Sequence, residues 1–333
     1  MNKKGNMKIS FQQLQPYIDA NLIKVNPHPT ANLFICNYTP ECQFDRKWDP
    51  ITLMCRGLVV DDQGNVVARP FDKFFNHTEI DRLPDGEYEV FEKLDGSLGI
   101  TYWIDNEVFL TTRGCFTSPQ ALKGTELLRK IKLELKPEYT YLFEIIYPEN
   151  RIVVNYGDEE RLVLLGVIET SSGKEFDLDQ FDYPFKPIKY DSNSIDELLN
   201  KNLSNAEGFV LKYKTGERVK VKFEEYKRLH RIITGLNERA IWEMLKDNQK
   251  IPLEGVPDEF YKWCNSVIED FTFKFNDIKV RAEKALVEGD LFNKTRKEAA
   301  LWIMKDNKDI AGVIFCLLDR KNVEEVIWKK LRV

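Results

Sequence analysis

The apolar pattern changes near Phe223, and that change bounds the fold more tightly than any other feature of the chain. Before it, short stretches rich in β-branched and aromatic residues read as strands: "RGLVVDD", "EYEVFEKL", "LGITYWI", "EVFLTTR", "YTYLFEII", "RIVVNYG", "RLVLLGVIE", "EGFVLKY" and "RVKVKF". The segments "DDQGN", "LDGS", "IDNE", "YPEN", "TSSGKE" and "KTGE" separate them as turns. Two amphipathic segments interrupt the strands, "SPQALKGTELLRKIKLEL" and "SIDELLNKNL", the second opening on a serine cap. Many strands and few helices predict an α+β domain of largely antiparallel sheets with flanking helices. From Glu224 the period becomes helical, with Tyr226, Leu229, Ile232, Ile233, Leu236, Ile241, Met244 and Leu245 near a 3.6-residue repeat. "IPLEGVP" breaks that run, and "FYKWCNSVIEDFTFKFNDIKVRAEKALVEG", "TRKEAALWIMKD", "IAGVIFCLL" and "VEEVIWKKL" follow as further helices. The expected organisation is a first domain over 1–230 and an all-α C-terminal domain over 231–333.

Composition narrows the class. With 43% hydrophobic, 31% charged and 12% aromatic residues, the chain reads as soluble and globular. No apolar run is long enough to cross a bilayer, and the charged N-terminus is followed by no apolar stretch of the kind a secretory signal needs. Six scattered cysteines without a CxxC pair and three distant histidines speak against a zinc cluster, and reduced thiols point to the cytoplasm. The net charge of -5 argues against a uniformly basic nucleic-acid coat, but a local group of cations can still hold phosphates.

"FEKLDGSLGI" poses the functional question, because Asp-Gly is a preferred two-residue hairpin turn and would leave Lys93 solvated and idle. A lone K-x-D-G turns up by chance in roughly one chain in ten of this length. The other charged residues in the strands shift the balance. "CRGLVV" supplies Arg56, and "ARPFDKFFN" supplies Lys73 followed by Phe74, Phe75 and Asn76. Glu144 stands in the apolar strand "YLFEII", where an unpaired carboxylate is costly. Glu207 precedes Gly208 at the start of a strand. In "RVKVKF", Lys220 and Lys222 share one strand face while Val219, Val221 and Phe223 share the other. Two lysines on one strand face repel unless an anion sits between them.

In this order the residues resemble the covalent nucleotidyltransferases, the polynucleotide ligases and mRNA capping enzymes: K-x-D-G at Lys93, a strand glutamate at Glu144, E-G-x-V at Glu207, then K-x-K at Lys220 and Lys222. Within that superfamily the chain is most similar to the RNA ligase 1 branch of the T-even bacteriophages, in "CRG", "RPxxKFFN", "PENRIV" and "VKVK" followed by "YxxLH". The likeness runs from Asn37 and Tyr38 to His230, roughly two thirds of the chain. It implies a nucleotidyltransferase domain of antiparallel sheets with flanking helices. Three positions depart from the branch: Arg113 stands where a lysine is expected, Cys36 where an aromatic is, and "LVLLGV" lacks the aromatic that other branches stack on adenine.

The resemblance implies a three-step, ATP-dependent joining of RNA ends. The Lys93 amine takes AMP from ATP, AMP passes to a 5′-phosphate, and a 3′-OH displaces it. Arg56 and Lys73 would hold the triphosphate and Glu144 the ribose hydroxyls. Lys220 and Lys222 would contact the α-phosphate, with Asp95 and Gly96 shaping the ATP loop, and Arg113 would contact ribose or RNA. Glu207 would bind magnesium or manganese. A lysine near its reference pKa of about 10.4 is inert at neutral pH, so surrounding cations are expected to push Lys93 toward the free amine. The implied partners are RNA ends, tRNA among them, and an end-healing kinase/phosphatase, in the cytoplasm or a host cell's cytoplasm. Alternatives are a capping guanylyltransferase, a DNA ligase, or a binding protein that has lost catalysis; the first two usually carry a β-barrel after the K-x-K strand, whereas "LLDRKN" with Asp319, Arg320 and Lys321 lacks strand context. The tail holds 19 Lys and Arg against 18 Asp and Glu, so RNA recognition there would rest on local contacts, with Trp263, Trp302 and Trp328 as stacking candidates.

Overall fold

A computed structural model of the protein describes residues 8–192, 194–201 and 203–333. Residues 1–7 of the N-terminal stretch and Asn202 of "SIDELLNKNL" lie outside the described residues. The chain forms two compact units, Met1–Lys227 and Arg228–Val333.

The first unit opens with helix α1 (Phe11–Asp19), closed at its start by a capping box between Ser10 and Gln13. Strands β1 (Ile23–Pro27), β2 (Leu33–Tyr38), β3 (Arg56–Asp61) and β4 (Val66–Ala68) make a four-stranded antiparallel sheet in that order. Between β2 and β3 lie two short helices, α2 (Pro40–Phe44) and α3 (Pro50–Met54), each with a proline in its first turn and a side-chain cap, Thr39 and Asp49. Then follow β5 (Phe75–Asn76), β6 (Tyr88–Lys93), β7 (Ser97–Ile104), β8 (Glu107–Thr111), helix α4 (Pro119–Leu128) and β9 (Tyr139–Ile146). The unit is completed by β10 (Arg161–Glu169), β11 (Glu175–Phe176), β12 (Lys189–Tyr190), α5 (Ile195–Lys201), β13 (Gly208–Tyr213) and β14 (Arg218–Lys222).

These strands sort into two five-stranded sheets. One has the order β11-β10-β9-β7-β8 and the other β12-β6-β13-β14-β5. All pairings in them are antiparallel except β14 with β5. Tyr141, Phe143, Ile145, Leu162 and Leu164 fill the core beside β9 and β10, each such side chain contributing about 1.5–3 kcal/mol by burial. The chain therefore has the expected α+β architecture, with antiparallel sheets followed by a helical C-terminal region.

Two local expectations need correction, and the hairpin alternative at "KLDGS" falls with them. β6 and β7 belong to different sheets, so "KLDGS" is a crossing between sheets and not a hairpin. "RIVVNYG" is a loop: the N–H groups of Val153 and Val154 donate to Asp95, that of Asn155 to Asn205, and that of Gly157 to Asn155, so side chains take what a neighbouring strand would have taken. Helix α4 stops at Leu128, because Ile131, Leu133 and Leu135 alternate with exposed Lys132, Glu134 and Lys136. That period-2 stretch packs extended against the β9–β10 core.

The second unit is helical. Helix α6 (Glu224–Gly235) leads into it, followed by α7 (Glu238–Lys246), the long α8 (Asp258–Glu288), α9 (Arg296–Asp306), α10 (Ala311–Leu318) and α11 (Glu324–Lys330). Asn237 caps α7, and Thr295 with Glu298 forms a capping box on α9. Ala282, Leu286, Ile303, Val313, Ile314 and Ile327 make one core. Leu236, Ile241, Trp242, Cys264 and Phe271 make a second. Trp302 packs against the first and Trp328 against the second, and Trp263 lies beside Phe260 with 37% of its surface exposed. Of the three tryptophans, Trp302 and Trp328 serve cores.

Candidate active site

Lys93 is the last residue of β6 and faces Gly208 on β13, and Gly208 faces Lys222 on β14. The three positions thus form a row across adjacent strands. Glu207, just before Gly208, places its carboxylate between the two lysines. Its Oε2 accepts from Lys93 Nζ at 2.7 Å and its Oε1 from Lys222 Nζ at 2.7 Å. Gly208 has φ +144, and a Cβ there would lie 2.0 Å from the Val221 carbonyl oxygen. Only glycine permits this approach, which sets the strand spacing that brings both lysines onto one carboxylate.

After Lys93 the chain crosses to the other sheet, and Asp95 fixes the crossing. Its Oδ2 accepts from Val153 and Val154 N–H at 2.9 Å, its Oδ1 from the Tyr226 hydroxyl at 2.7 Å, while its own N–H donates to the Tyr156 hydroxyl. The side chain is 3% exposed, so Asp95 is turned into the protein. Gly96 N–H donates to Glu144 Oε1 at 2.9 Å, and a Cβ at Gly96 would meet the Ile145 carbonyl oxygen at 2.6 Å. The glycine therefore admits β9 as a close neighbour and lets Glu144 reach the start of β7. Asn150 secures the same corner, accepting from Ser97 Oγ and donating to the Ile145 carbonyl.

The charges oppose one another. Burial raises the Glu144 carboxyl to about 7, an effect that the Lys93 charge only partly offsets. Glu207 is held below the usual carboxylate range because Lys93 and Lys222 outweigh its burial. Burial acts to lower the Lys93 amine, but Glu207 and Glu144 outweigh it and hold the ammonium above the ordinary lysine value. This reverses the expectation of a Lys93 driven toward the free amine by cations. The depressed lysine is Lys220, pulled down to about 6 by burial and then by Arg56, Lys93, Lys73 and Lys222. The physical difference is the partner: Lys93 has a carboxylate at hydrogen-bond distance, whereas Lys220 lies over the Phe74 ring at 4.6 Å.

Cations and rings form the adjoining wall. The Arg56 guanidinium also lies over Phe74, at 5.4 Å, and its Nη1 is buried without a hydrogen-bond partner. Lys73 Nζ sits 5.2 Å from the Tyr38 ring, 5.4 Å from Trp48 and 5.2 Å from Phe75. Tyr38 and Trp48 meet edge to face at 5.0 Å, as do Trp48 and Phe75 at 5.4 Å. Arg113 is exposed; its Nη1 donates to the Tyr38 hydroxyl at 3.0 Å. The Lys222 ammonium lies over the Tyr226 ring at 5.0 Å.

The structure thus gathers Lys93, Glu207, Lys222, Glu144 and Gly96 at one crossing, with Lys220, Arg56, Lys73 and Arg113 along a linked wall. Trp48, Tyr226, Tyr156 and Asn150 escaped the sequence reading. Tyr226 is legible as a helical apolar position and as the tyrosine of the quoted "YxxLH", Asn150 lies inside the quoted "PENRIV", and nothing local singles out Trp48.

A family model described as RNA ligase matches residues 54–227, just over half of the chain and all of the Lys93–Glu207–Lys222 row. The chain belongs to the RNA ligase 1 family. A protein of Thermovibrio ammonificans, provisionally described as an RNA ligase, is 33% identical over 212 residues, 56% of each chain. A protein of Autographa californica nuclear polyhedrosis virus, provisionally described as a bifunctional polynucleotide kinase/RNA ligase, is 27% identical over 63% of this chain and 35% of its own. An RNA ligase of Rhodothermus phage RM378 is 24% identical over 69% of this chain and 71% of its own. The chain thus spans about half of the first relative and about a third of the second. Among solved structures, one provisionally described as an ATP-dependent DNA ligase from Aquifex aeolicus aligns with a TM-score of 0.46 at 13% identity, over 94% of this chain and 88% of that one.

Proposed function

We propose that this family member is an ATP-dependent RNA ligase that joins 3′-OH and 5′-phosphate RNA ends through a lysyl-AMP intermediate on Lys93. The observation that carries the reading is the Lys93–Glu207–Lys222 arrangement, a lysine amine and a second cation held on one buried carboxylate. The orphaned Arg56 Nη1 adds a buried donor without an acceptor, which suits a phosphate oxygen.

In the first step Lys93 Nζ bonds to the α-phosphorus of ATP, the bond to the pyrophosphate oxygen breaks, and the amine proton leaves to solvent. Lys93 is a nucleophile only as the free amine, so Glu207 has to give up its bond to Nζ; desolvation, which already acts against the ammonium, then favours the neutral form. Lys220, Lys222, Arg56 and Lys73 offset the charge on the phosphates, and Glu144 accepts from the ribose hydroxyls. Asp95 and Gly96 act by position, one tying the crossing to the 151–157 loop and α6, the other admitting β9. AMP then passes to the RNA 5′-phosphate, and the 3′-OH displaces it.

Among the described residues no group of three or more His, Cys, Asp or Glu side chains is placed to hold a metal. Magnesium or manganese would be held by one or two carboxylates together with substrate phosphates and water. Glu207, with Glu144 near, supplies the oxygen donors; when bound, the ion would neutralise phosphate charge.

The helical unit over 231–333 reads as the part that recognises RNA shape, with RNA repair, including tRNA repair, as the setting. The polynucleotide kinase/RNA ligase description of the Autographa californica nuclear polyhedrosis virus relative supports a kinase as the partner that supplies 5′-phosphates, with a phosphatase beside it as part of the same proposal. No helix among the described residues is long and apolar enough to cross a membrane; the cytoplasm, or a host's cytoplasm, is the proposed setting. Incubation with α-labelled ATP and magnesium tests the reading. Wild type should take up covalent label, and Lys93→Ala should take up none. Label from GTP instead would indicate a capping enzyme, and absence of label from both would indicate a binding protein.

A further inference from the structure

We infer that the loop between α2 and α3 is a docking surface for single-stranded RNA, with Phe44 as a base-stacking platform and Arg46 as a phosphate contact. The inference rests on the RNA ligase reading above and extends it to residues outside the ATP site. Phe44 exposes 82% of its surface, more than any other large apolar side chain among the described residues. An aromatic ring held in solvent costs hydration, and in a protein that handles nucleic acid its common use is to stack on an unpaired base.

Hydrogen bonds fix the backbone of the loop that carries the ring. Lys47 N–H donates to the Cys42 carbonyl, Trp48 N–H to the Arg46 carbonyl, and Thr52 Oγ1 and Cys42 Sγ both donate to the Lys47 carbonyl. Arg46 adopts φ 52, the left-handed region that non-glycine residues enter only when the surroundings force it. That turn presents an exposed guanidinium with no partner among the described residues, while Lys47 is engaged by Asp45 at 3.1 Å. The loop then delivers Trp48 to the Tyr38–Lys73 wall of the active site. Three residues separate Phe44 from Trp48, so the Cα atoms of the two lie within about 14 Å of one another. Arg113, hydrogen-bonded to Tyr38 and without a carboxylate partner, continues the cationic path.

Charge and chemistry select the occupant. An exposed ring two residues from the unpartnered Arg46 guanidinium matches a strand that offers base faces and phosphates together, and single-stranded RNA offers both.

Phe44→Ala, Phe44→Trp and Arg46→Ala are made in the full chain. Each is assayed for covalent AMP labelling, for anisotropy of a fluorescent 5′-phosphorylated single-stranded RNA, and for KM in sealing that strand. Labelling should match wild type. Phe44→Ala should weaken RNA binding and raise KM for RNA about tenfold, and Phe44→Trp should restore both. Arg46→Ala should weaken binding and reduce the dependence of log affinity on log salt by about 0.7. Unchanged binding and KM in Phe44→Ala and Arg46→Ala, from proteins that label normally, overturns the proposal. So does a loss of self-association on sedimentation without any change in RNA binding, since the occupant would then be a second copy. Failure of wild type to label overturns the ligase reading instead, so the two failures are distinct.

Discussion

Replacing Lys220 by methionine should stabilise the protein and end its chemistry together. The Lys220 amine falls from an ordinary 10.5 to about 6 in the folded chain, first through burial and then through Arg56, Lys93, Lys73 and Lys222. At neutral pH the folded protein therefore holds it uncharged, while the unfolded chain holds it protonated. Removing that proton at pH 7 spans about 3.5 units below 10.5, and at 1.36 kcal/mol per unit the cost is at most about 5 kcal/mol. Methionine keeps the apolar stem over Phe74 and carries no amine, so the variant avoids the cost. The sign follows from proton counts. Between about 6 and 10.5 the unfolded wild type binds more protons than the folded one, so wild-type stability rises with pH through that window. The advantage of the variant should shrink by up to about 2.7 kcal/mol between pH 7 and pH 9. Urea unfolding of both proteins at the two pH values, followed by circular dichroism, measures it, and α-labelled ATP should show severe loss of adenylylation. A variant less stable than wild type, or a gain equal at both pH values, would refute the reasoning.

Asp95→Asn should cost about 2–3 kcal/mol, because an amide nitrogen would face donors that the carboxylate now accepts. A lower urea midpoint together with faster proteolysis in the 151–157 loop checks it, and an unchanged midpoint counts against the network. Gly208→Ala should abolish adenylylation even where the protein stays soluble, since a Cβ 2.0 Å from the Val221 carbonyl forces β13 and β14 apart; normal labelling would mean that the row does not need this spacing. A chain ending at Gly235 keeps Tyr226 and stops before the α7 core, so it should still form lysyl-AMP but lose sealing of folded RNA more than of a simple strand. Equal loss on both substrates would remove the helical unit from RNA selection.

What the sequence disclosed depended on the range over which each feature is decided. The alternation of Lys220 and Lys222 against Val219 and Val221 is a local period, and the structure keeps it: the valines are buried and the lysines half-buried on the other face. The partner of β6 is not local. Both neighbours of "LDGS" alternate like hairpin arms, but Lys93 pairs across to Gly208, and no nearby residue encodes that choice. The loop at 151–157 misled for the same reason, because its β-branched residues satisfy their backbone on the distant Asp95.

The sequence alone points to a neutral Lys93 because its cations stand out there, whereas the carboxylate that pairs with it comes from just before a distant strand. Two lysines on a strand face call for an anion, and the site answers in two ways. Glu207 serves as the anion for Lys222 and Lys93, whereas Lys220, which has none, gives up its proton. A triphosphate entering this site would have to compete with Glu207 for Lys93 and Lys222. It would meet no such competitor at Arg56, whose Nη1 has no partner, or at Lys220, which would take up a proton as the phosphate arrived. Phosphate capture on the Arg56–Lys220 side would then come before Lys93 is released from Glu207, an order that keeps the nucleophile masked as an ammonium until its target is in place.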